Sequence, residues 1–129
     1  MKLSEELYKT GLTLKPMAGP DWFEEGYNSP YVKGPHKYYG IHSFIDAVKV
    51  GEIEYGDVDE NTIEIISIFV LPMFRGRGYA QQAINQLVDI AKKKTVILMY
   101  SPSSKKFWNK FGFTPLQGAI SSKYLTKTF

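Results

Sequence analysis

Hydrophobic and polar positions along this chain follow two periods, and the change between them is sharp. Up to Leu71 the pattern is mostly that of strands. Leu12-Thr13-Leu14-Lys15 alternates as a first strand. Tyr38 to Ile45 reads as a second, and Val48 to Tyr55 as its hairpin partner. A polar turn, Asp57 to Asn61, leads into Thr62 to Leu71, TIEIISIFVL. That run is apolar on both faces, so it predicts a central strand covered on both sides. From Ala80 the period lengthens: Ala80, Ala83, Ile84, Leu87, Val88 and Ala91 recur at helical spacing. They predict a helix from about Gly78 to Lys93 with one apolar face. Thr95 to Tyr100 is another buried strand. Ser101-Pro102 opens a second helix that runs to Phe111, with Gly112 as its stop. Phe113 to Leu116 and Lys123 to Phe129 are the last strand candidates. Ahead of all these, Leu3 to Lys9 predicts a short helix capped by Ser4 and stopped at Gly11. The order predicts an α/β or α+β domain with a mixed sheet.

Two stretches fall outside the periodic pattern. MAGPDWFEEGYNSPYVKGPHK, Met17 to Lys37, is rich in Gly, Pro and aromatics. It is long for a structureless connection and reads as a short helix or turn plus a functional loop. The second is VLPMFRGRGYAQQ, Val70 to Gln82, where the central strand hands over to the helix. Glycine is a poor helix former, so Gly76 and Gly78 imply a need for bare backbone. A helix N-terminus has unpaired N–H groups and a positive dipole end, which together attract an anion. Arg75 and Arg77 add charge, and arginine grips phosphate with two donors. A pyrophosphate is the expected guest; the rival is a tight turn with solvated arginines. Other phosphate loops fail on spacing. A Walker loop needs Lys and Ser/Thr after its last Gly, and Tyr79 follows Gly78. A dinucleotide fingerprint starting at Gly76 would need glycine where Gln81 stands.

Composition narrows the field further. A length of 129 residues suits one domain, residues 1–129. No cysteine is present, which excludes disulfides, thiolate metal sites and cysteine nucleophiles. His36 and His42 have no acidic partner at metal-ligand spacing, so no metal site is expected; His36 reads as a turn residue and His42 as a strand residue. MKLSEELYKTG carries Glu5 and Glu6 and lacks the apolar core of a signal peptide. No apolar run reaches membrane-spanning length, and a cytoplasmic protein is expected. The net charge of +3 is partly local, in Lys92 to Lys94 after one helix and Lys105-Lys106 near the start of the next. Solvated charge at helix ends explains it better than a nucleic-acid surface.

The pattern R-x-x-G-x-A at Arg75, Gly78 and Ala80, preceded by V-x-P at Val70 to Pro72, resembles the acyl-CoA motif of the GNAT superfamily of N-acyltransferases. FWNKFGF, Phe107 to Phe113, resembles that family's helix-to-strand segment l-Y-x-k-l-G-F, and VGEIEY, Val50 to Tyr55, its third strand. One helix and one strand separate the two main motifs, as in the family. The resemblance spans roughly Tyr38 to Phe113. It implies six or seven strands splayed like a V, with flanking helices and acyl-CoA in the split between Thr62–Leu71 and Thr95–Tyr100. It places Ile68, Phe69 and Val70 along the pantetheine. The backbone of Gly76, Arg77, Gly78, Tyr79, Ala80 and Gln81 would then lie on the pyrophosphate, with Arg75 beside it. Ser101 stands about where relatives often carry a CoA-contacting Asn.

The implied reaction moves an acetyl group from acetyl-CoA, a cosubstrate, to an amine by direct attack. With no cysteine, an acyl-cysteine intermediate is excluded. A backbone N–H near Val70 would steady the oxyanion. Glu64 occupies a place where many relatives carry a glutamate and is the candidate general base; the alternative is a solvated strand-end residue. Alternation places it on the face of Ile66, Ile68 and Val70. Glu54 and His42 are further base candidates. The family's usual acid is the Tyr of l-Y-x-k-l-G-F, and this chain has Trp108 there. Indole donates a hydrogen bond but is no proton donor at neutral pH, so Trp108 reads as packing beneath the pantetheine. Tyr124 is the substitute acid if the last strand brings it near. The Met17–Lys37 loop is expected to line the acceptor site. Trp22, Phe23, Tyr27 and Tyr31 would be its walls, with Asp21, Glu24 and Glu25 drawing an ammonium group. The rival functions are a non-catalytic acyl-CoA-binding protein and, more remotely, a nucleic-acid-directed one. A monomer or homodimer is expected.

Overall fold

A computed structural model describes residues 12–43 and 47–129. The helix expected at Leu3 to Lys9 and the last residues of the second expected strand lie outside them. Seven strands form one sheet: β1 (Leu12–Met17), β2 (Lys37–Ser43), β3 (Lys49–Asp57), β4 (Thr62–Val70), β5 (Thr95–Met99), β6 (Thr114–Pro115) and β7 (Tyr124–Thr128). Their spatial order is β1-β2-β3-β4-β5-β7-β6. β1 to β4 pair antiparallel in sequence order. β5 lies parallel to β4, and β7 sits antiparallel between β5 and β6. The parallel pair needs a crossover. Helix α1 (Tyr79–Ala91) supplies it.

The apolar face of α1 closes one side of the sheet. Ala83, Ile84, Leu87 and Val88 are buried with Ile41, Val50, Ile53, Ile63, Ile65 and Val96 in one core. The helix ends at Lys92, which takes the left-handed conformation, φ 56, as a C-terminal stop requires. The second expected helix is broken in two. Pro102–Ser104 is a 3-10 turn, held by a reciprocal capping box between Ser101 and Ser104, and α2 (Lys105–Lys110) follows it. Gly112, at φ 100, ends α2 as expected.

Two irregularities in β4 shape what lies around it. Pairing with β5 runs from Thr62↔Thr95 to Ile65↔Leu98 and stops there, although β4 continues to Val70. Past that point the sheet opens like a V, and no strand among the described residues pairs with β4 on that side. The other irregularity is a bulge. Tyr55 pairs with Ile65 and Glu54 with Ser67, so Ile66 has no partner on β3. An extra residue reverses the alternation of everything beyond it. Ile68, opposite Ile53, therefore packs on the core side. Ser67 and Phe69 lie opposite Glu54 and Glu52 on the other face. Glu64 shares that face, and the expectation that it sits with Ile68 and Val70 is overturned by this single residue.

Candidate active site

Three carboxylates lie almost fully buried on the face away from α1: Glu52 at 1%, Glu54 at 0% and Glu64 at 0% exposure. A buried charge is costly unless it is paired or well bonded, and the Met17–Lys37 segment supplies the partners. That segment forms turns rather than a short helix. Glu52 accepts the N–H groups of Asp21 and Trp22, both at 3.0 Å. It also meets Lys49 Nζ, which pairs with Asp21 at 2.8 Å. Burial would lower the Lys49 ammonium, but its bonds to Asp21 and Glu52 outweigh that and hold it above the ordinary value. Glu54 accepts the Gly26 N–H at 2.8 Å, His36 Nδ1 at 2.7 Å and the Tyr38 hydroxyl at 3.2 Å. Glu64 accepts three hydroxyls: Tyr27 at 2.5 Å, Ser29 at 2.5 Å and Tyr124 at 3.2 Å.

The Tyr27 phenol is pushed well up, first by burial and then by Glu64. Tyr124 is also pushed up, again by burial first, with Glu64 adding to it. Both therefore stay protonated and donate to the carboxylate. Glu64 is not a solvated strand-end residue. Tyr27 and Ser29 were not expected as its partners, nor His36 as a partner of Glu54. The readable signal was Glu52 and Glu54 flanking Ile53 in an otherwise apolar strand segment: two acids on one face of a strand that becomes buried demand partners.

Where β4 and β5 part, a cleft of about 750 Å³ opens, lined by Ile68, Phe69 and Val70, by the glycine turn, and by α2 with the 3-10 turn before it. Gly76 and Gly78 both take left-handed conformations, φ 80 and 79, which L-residues adopt at a cost. The first bond of α1 runs from the Gln82 N–H to the Gly78 carbonyl. The N–H groups of Tyr79, Ala80 and Gln81 thus have no acceptor within the helix, and all three residues line the cleft. Arg75 lines it too, with Nε donating to the Val70 carbonyl at 2.7 Å and the guanidinium over Phe69. Arg77 does not: it lies over the Phe74 ring at 5.6 Å, outside the lining. Ser101 is likewise outside, occupied in its capping box, while Ser103, Ser104 and Lys110 line the wall instead. A residue on a turn alternates between facing the cleft and facing away, and motif spacing does not fix which. Trp108 is 6% exposed, packed edge-on against Phe107 and Phe113 and bordering the cleft.

Glu64 and Tyr124 lie close to the point where β4 and β5 part, although neither lines the cleft itself. Glu64 pairs with Ile97, one residue before the last β4–β5 pair. Tyr124 pairs with Met99 at the adjacent end of β7. Tyr31 rests edge-on against Tyr124, and its hydroxyl accepts the Ile120 N–H at 2.9 Å. A second cavity of about 430 Å³ lies within the loop region, bordered by Glu25, Asn28, Ser29, His36 and Tyr38 among others. Among the described residues no cluster of His, Asp or Glu forms a metal-ligand set. No described helix is long and apolar enough to cross a membrane.

Solved structures share this architecture at low identity. The PaiA N-acetyltransferase of Thermoplasma acidophilum, in complex with coenzyme A, superposes with a TM-score of 0.60 at 17% identity, covering 73% of this chain and 61% of that one. The Campylobacter jejuni N-acetyltransferase PseH, in complex with acetyl coenzyme A, gives 0.57 at 18% identity, with 72% and 67% covered. Mutant forms of the spermidine/spermine N-acetyltransferase SpeG from Vibrio cholerae give 0.61 at 15% identity, with 91% and 94% covered. The chain spans about three fifths of the length of PaiA. No curated protein matches the chain by sequence. The fold is that of the N-acetyltransferases. The model of the acetyltransferase (GNAT) family matches residues 6–113, and the chain belongs to that family.

Proposed function

We propose that this protein transfers an acetyl group from acetyl-CoA to an amine by direct attack, with no covalent enzyme intermediate. One observation carries the reading: a cleft lined by three helix N–H groups without an intrahelical acceptor opens where β4 and β5 part, next to the register position of Glu64, which is held by hydroxyls. The pyrophosphate belongs on the N–H groups of Tyr79, Ala80 and Gln81, beside Gly76 and Gly78. Arg75 borders it, and Arg77 and Ser101 act only from outside. The pantetheine belongs along the open edge of Ile68 to Val70, over Trp108. The amine and the thioester carbonyl then meet at the apex, where proximity supplies much of the rate.

Glu64 is the base, and because it is fully buried it takes the amine proton through a hydroxyl bonded to it. Tyr124 is the acid that returns a proton to the departing thiolate. It replaces the phenol missing at Trp108, which favours catalysis over a non-catalytic acyl-CoA-binding role. The loop carrying Glu24 and Glu25 faces the acceptor, a small-molecule or peptide amine. The test has two arms. Coenzyme A is titrated calorimetrically into the protein and into Gly78→Asp, and thiol release from acetyl-CoA is followed across a panel of amines. Amine-dependent turnover is expected. Tight binding with no turnover would favour the non-catalytic reading, and equal affinity in both proteins would remove the glycine turn from the site.

A further inference from the structure

Glu64 has no exposed surface, so a proton that reaches it can leave only through a neighbour. Acetyl transfer to an ammonium group yields the amide, CoA–SH and one surplus proton. One of the two protons lost by nitrogen ends on sulfur, and the other must reach bulk water in every turnover. Of the three hydroxyls bonded to Glu64, Ser29 is the one that borders the second cavity. Its Oγ donates to Glu64 Oε1 at 2.5 Å and accepts the Tyr31 N–H at 3.1 Å, which fixes its rotamer. His36 borders the same cavity. With Nδ1 bonded to the buried Glu54 at 2.7 Å, its Nε2 is left as the proton-accepting nitrogen.

We propose that this cavity is the proton outlet of the active site, with Ser29 as the relay from Glu64 and the His36–Glu54 pair as the receiver. The proposal rests on the reading of Glu64 as the base. In the step, the O–H bond of the Glu64 carboxyl breaks as its proton passes to Ser29 Oγ. The proton Ser29 already carried leaves in the same motion to cavity water and on to His36 Nε2. Glu64 returns to carboxylate, Ser29 stays neutral, and the imidazolium loses its proton to bulk solvent. Ser29 is thus a positioning and relay residue, not one that touches the substrate.

Ser29→Ala, Ser29→Thr and Glu64→Gln test this. Hydroxyl exchange at Tyr27 and Tyr124, read from the isotope shift on ¹³C-labelled tyrosine ring carbons, needs no acceptor. Turnover is read with the amine found in the panel. Ser29→Ala should slow Tyr124 hydroxyl exchange and lower kcat by about 10²-fold, the low end of what a lost proton-transfer partner costs. KM for acetyl-CoA should hold, imidazole in the buffer should restore turnover, and Ser29→Thr should behave like the natural protein. Wild-type exchange and kcat in Ser29→Ala, with Glu64→Gln impaired, would overturn the outlet alone and leave the cleft as the proton's exit. A loss shared by Ser29→Thr and not restored by imidazole would also overturn it, marking Ser29 as a loop anchor. Full turnover in Glu64→Gln would remove the base reading and the outlet with it.

Discussion

Position 78 is constrained by conformation rather than space. Its φ is 79, yet an added Cβ would meet nothing nearer than Gln82 Nε2 at 3.6 Å. Gly78→Ala is therefore expected to cost about 1 kcal/mol in urea unfolding, the penalty of a left-handed L-residue, with a modest loss of CoA affinity. Gly78→Asp should lose far more affinity by calorimetry, because it brings negative charge to the anion site. At Glu64 the expectation is chemical. Glu64→Gln should lower turnover by about 10²-fold near neutral pH, and the deficit should shrink at high pH, where the amine is already free. A deficit of constant size across pH would mark Glu64 as structural. Trp108 sits among aromatic rings and has no hydrogen-bonding duty in the proposed chemistry. Trp108→Ala should cost about 3–5 kcal/mol and weaken CoA binding, while Trp108→Phe keeps most of both. Equal damage in the two would show that the indole N–H matters.

At the scale of elements, the loop between β1 and β2 is seated by three glutamates and by close approach at Gly26. A Cβ there would lie 2.3 Å from Ile66 Cγ2 and 3.0 Å from both Glu54 Oε1 and Ser67 Oγ. Ile66 is the bulged residue, so the loop rests on the bulge that turns Glu64 toward it. Gly26→Ala should lift the loop locally, at about 1–3 kcal/mol for overpacking. Limited proteolysis of the Met17–Lys37 segment should speed up while the α1 core stays protected. Unchanged protease resistance would mean that the three carboxylates hold the loop unaided.

Across the whole molecule, the loop face carries groups that hold their protons more tightly when folded. The Tyr38 phenol is pushed up to about 12, by burial first and then by Glu54 and Glu25. Tyr27 and Tyr124 on the same face, and Tyr55 on the core face, shift the same way, each chiefly through burial. Lys49 is raised by its carboxylate partners. Unfolded phenols and lysines titrate near 10 to 10.4. A raised folded value stabilises the fold fully below that range, and the stabilisation is lost as pH climbs through the folded values. The urea midpoint should therefore hold to about pH 9 and decline steadily above about pH 10. Tyr38→Phe should make the decline shallower between about pH 10 and 12. A midpoint unaffected by alkali would contradict the protonated, hydrogen-bonded face described above.

Among the described residues, the order of the strands, the apolar face of α1, the glycine turn as a place for bare backbone and the stop at Gly112 were legible in the sequence. Each is set by local periodicity or backbone sterics, which a few neighbouring residues specify. Most of the cleft lining was legible too, since Ile68 to Val70, the turn and Trp108 lie on those same elements. The tertiary structure alone decided which way the site faces. One unpaired residue, Ile66, moved Ile68 to the core side and left Glu64 with the loop, and only the register against β3 reveals it. Tyr124 reaches Glu64 across 60 positions, and Tyr27 and Ser29 across 37 and 35. Such pairs leave no periodic trace, because their geometry exists only once β7 has inserted beside β5 and the loop has folded over the sheet.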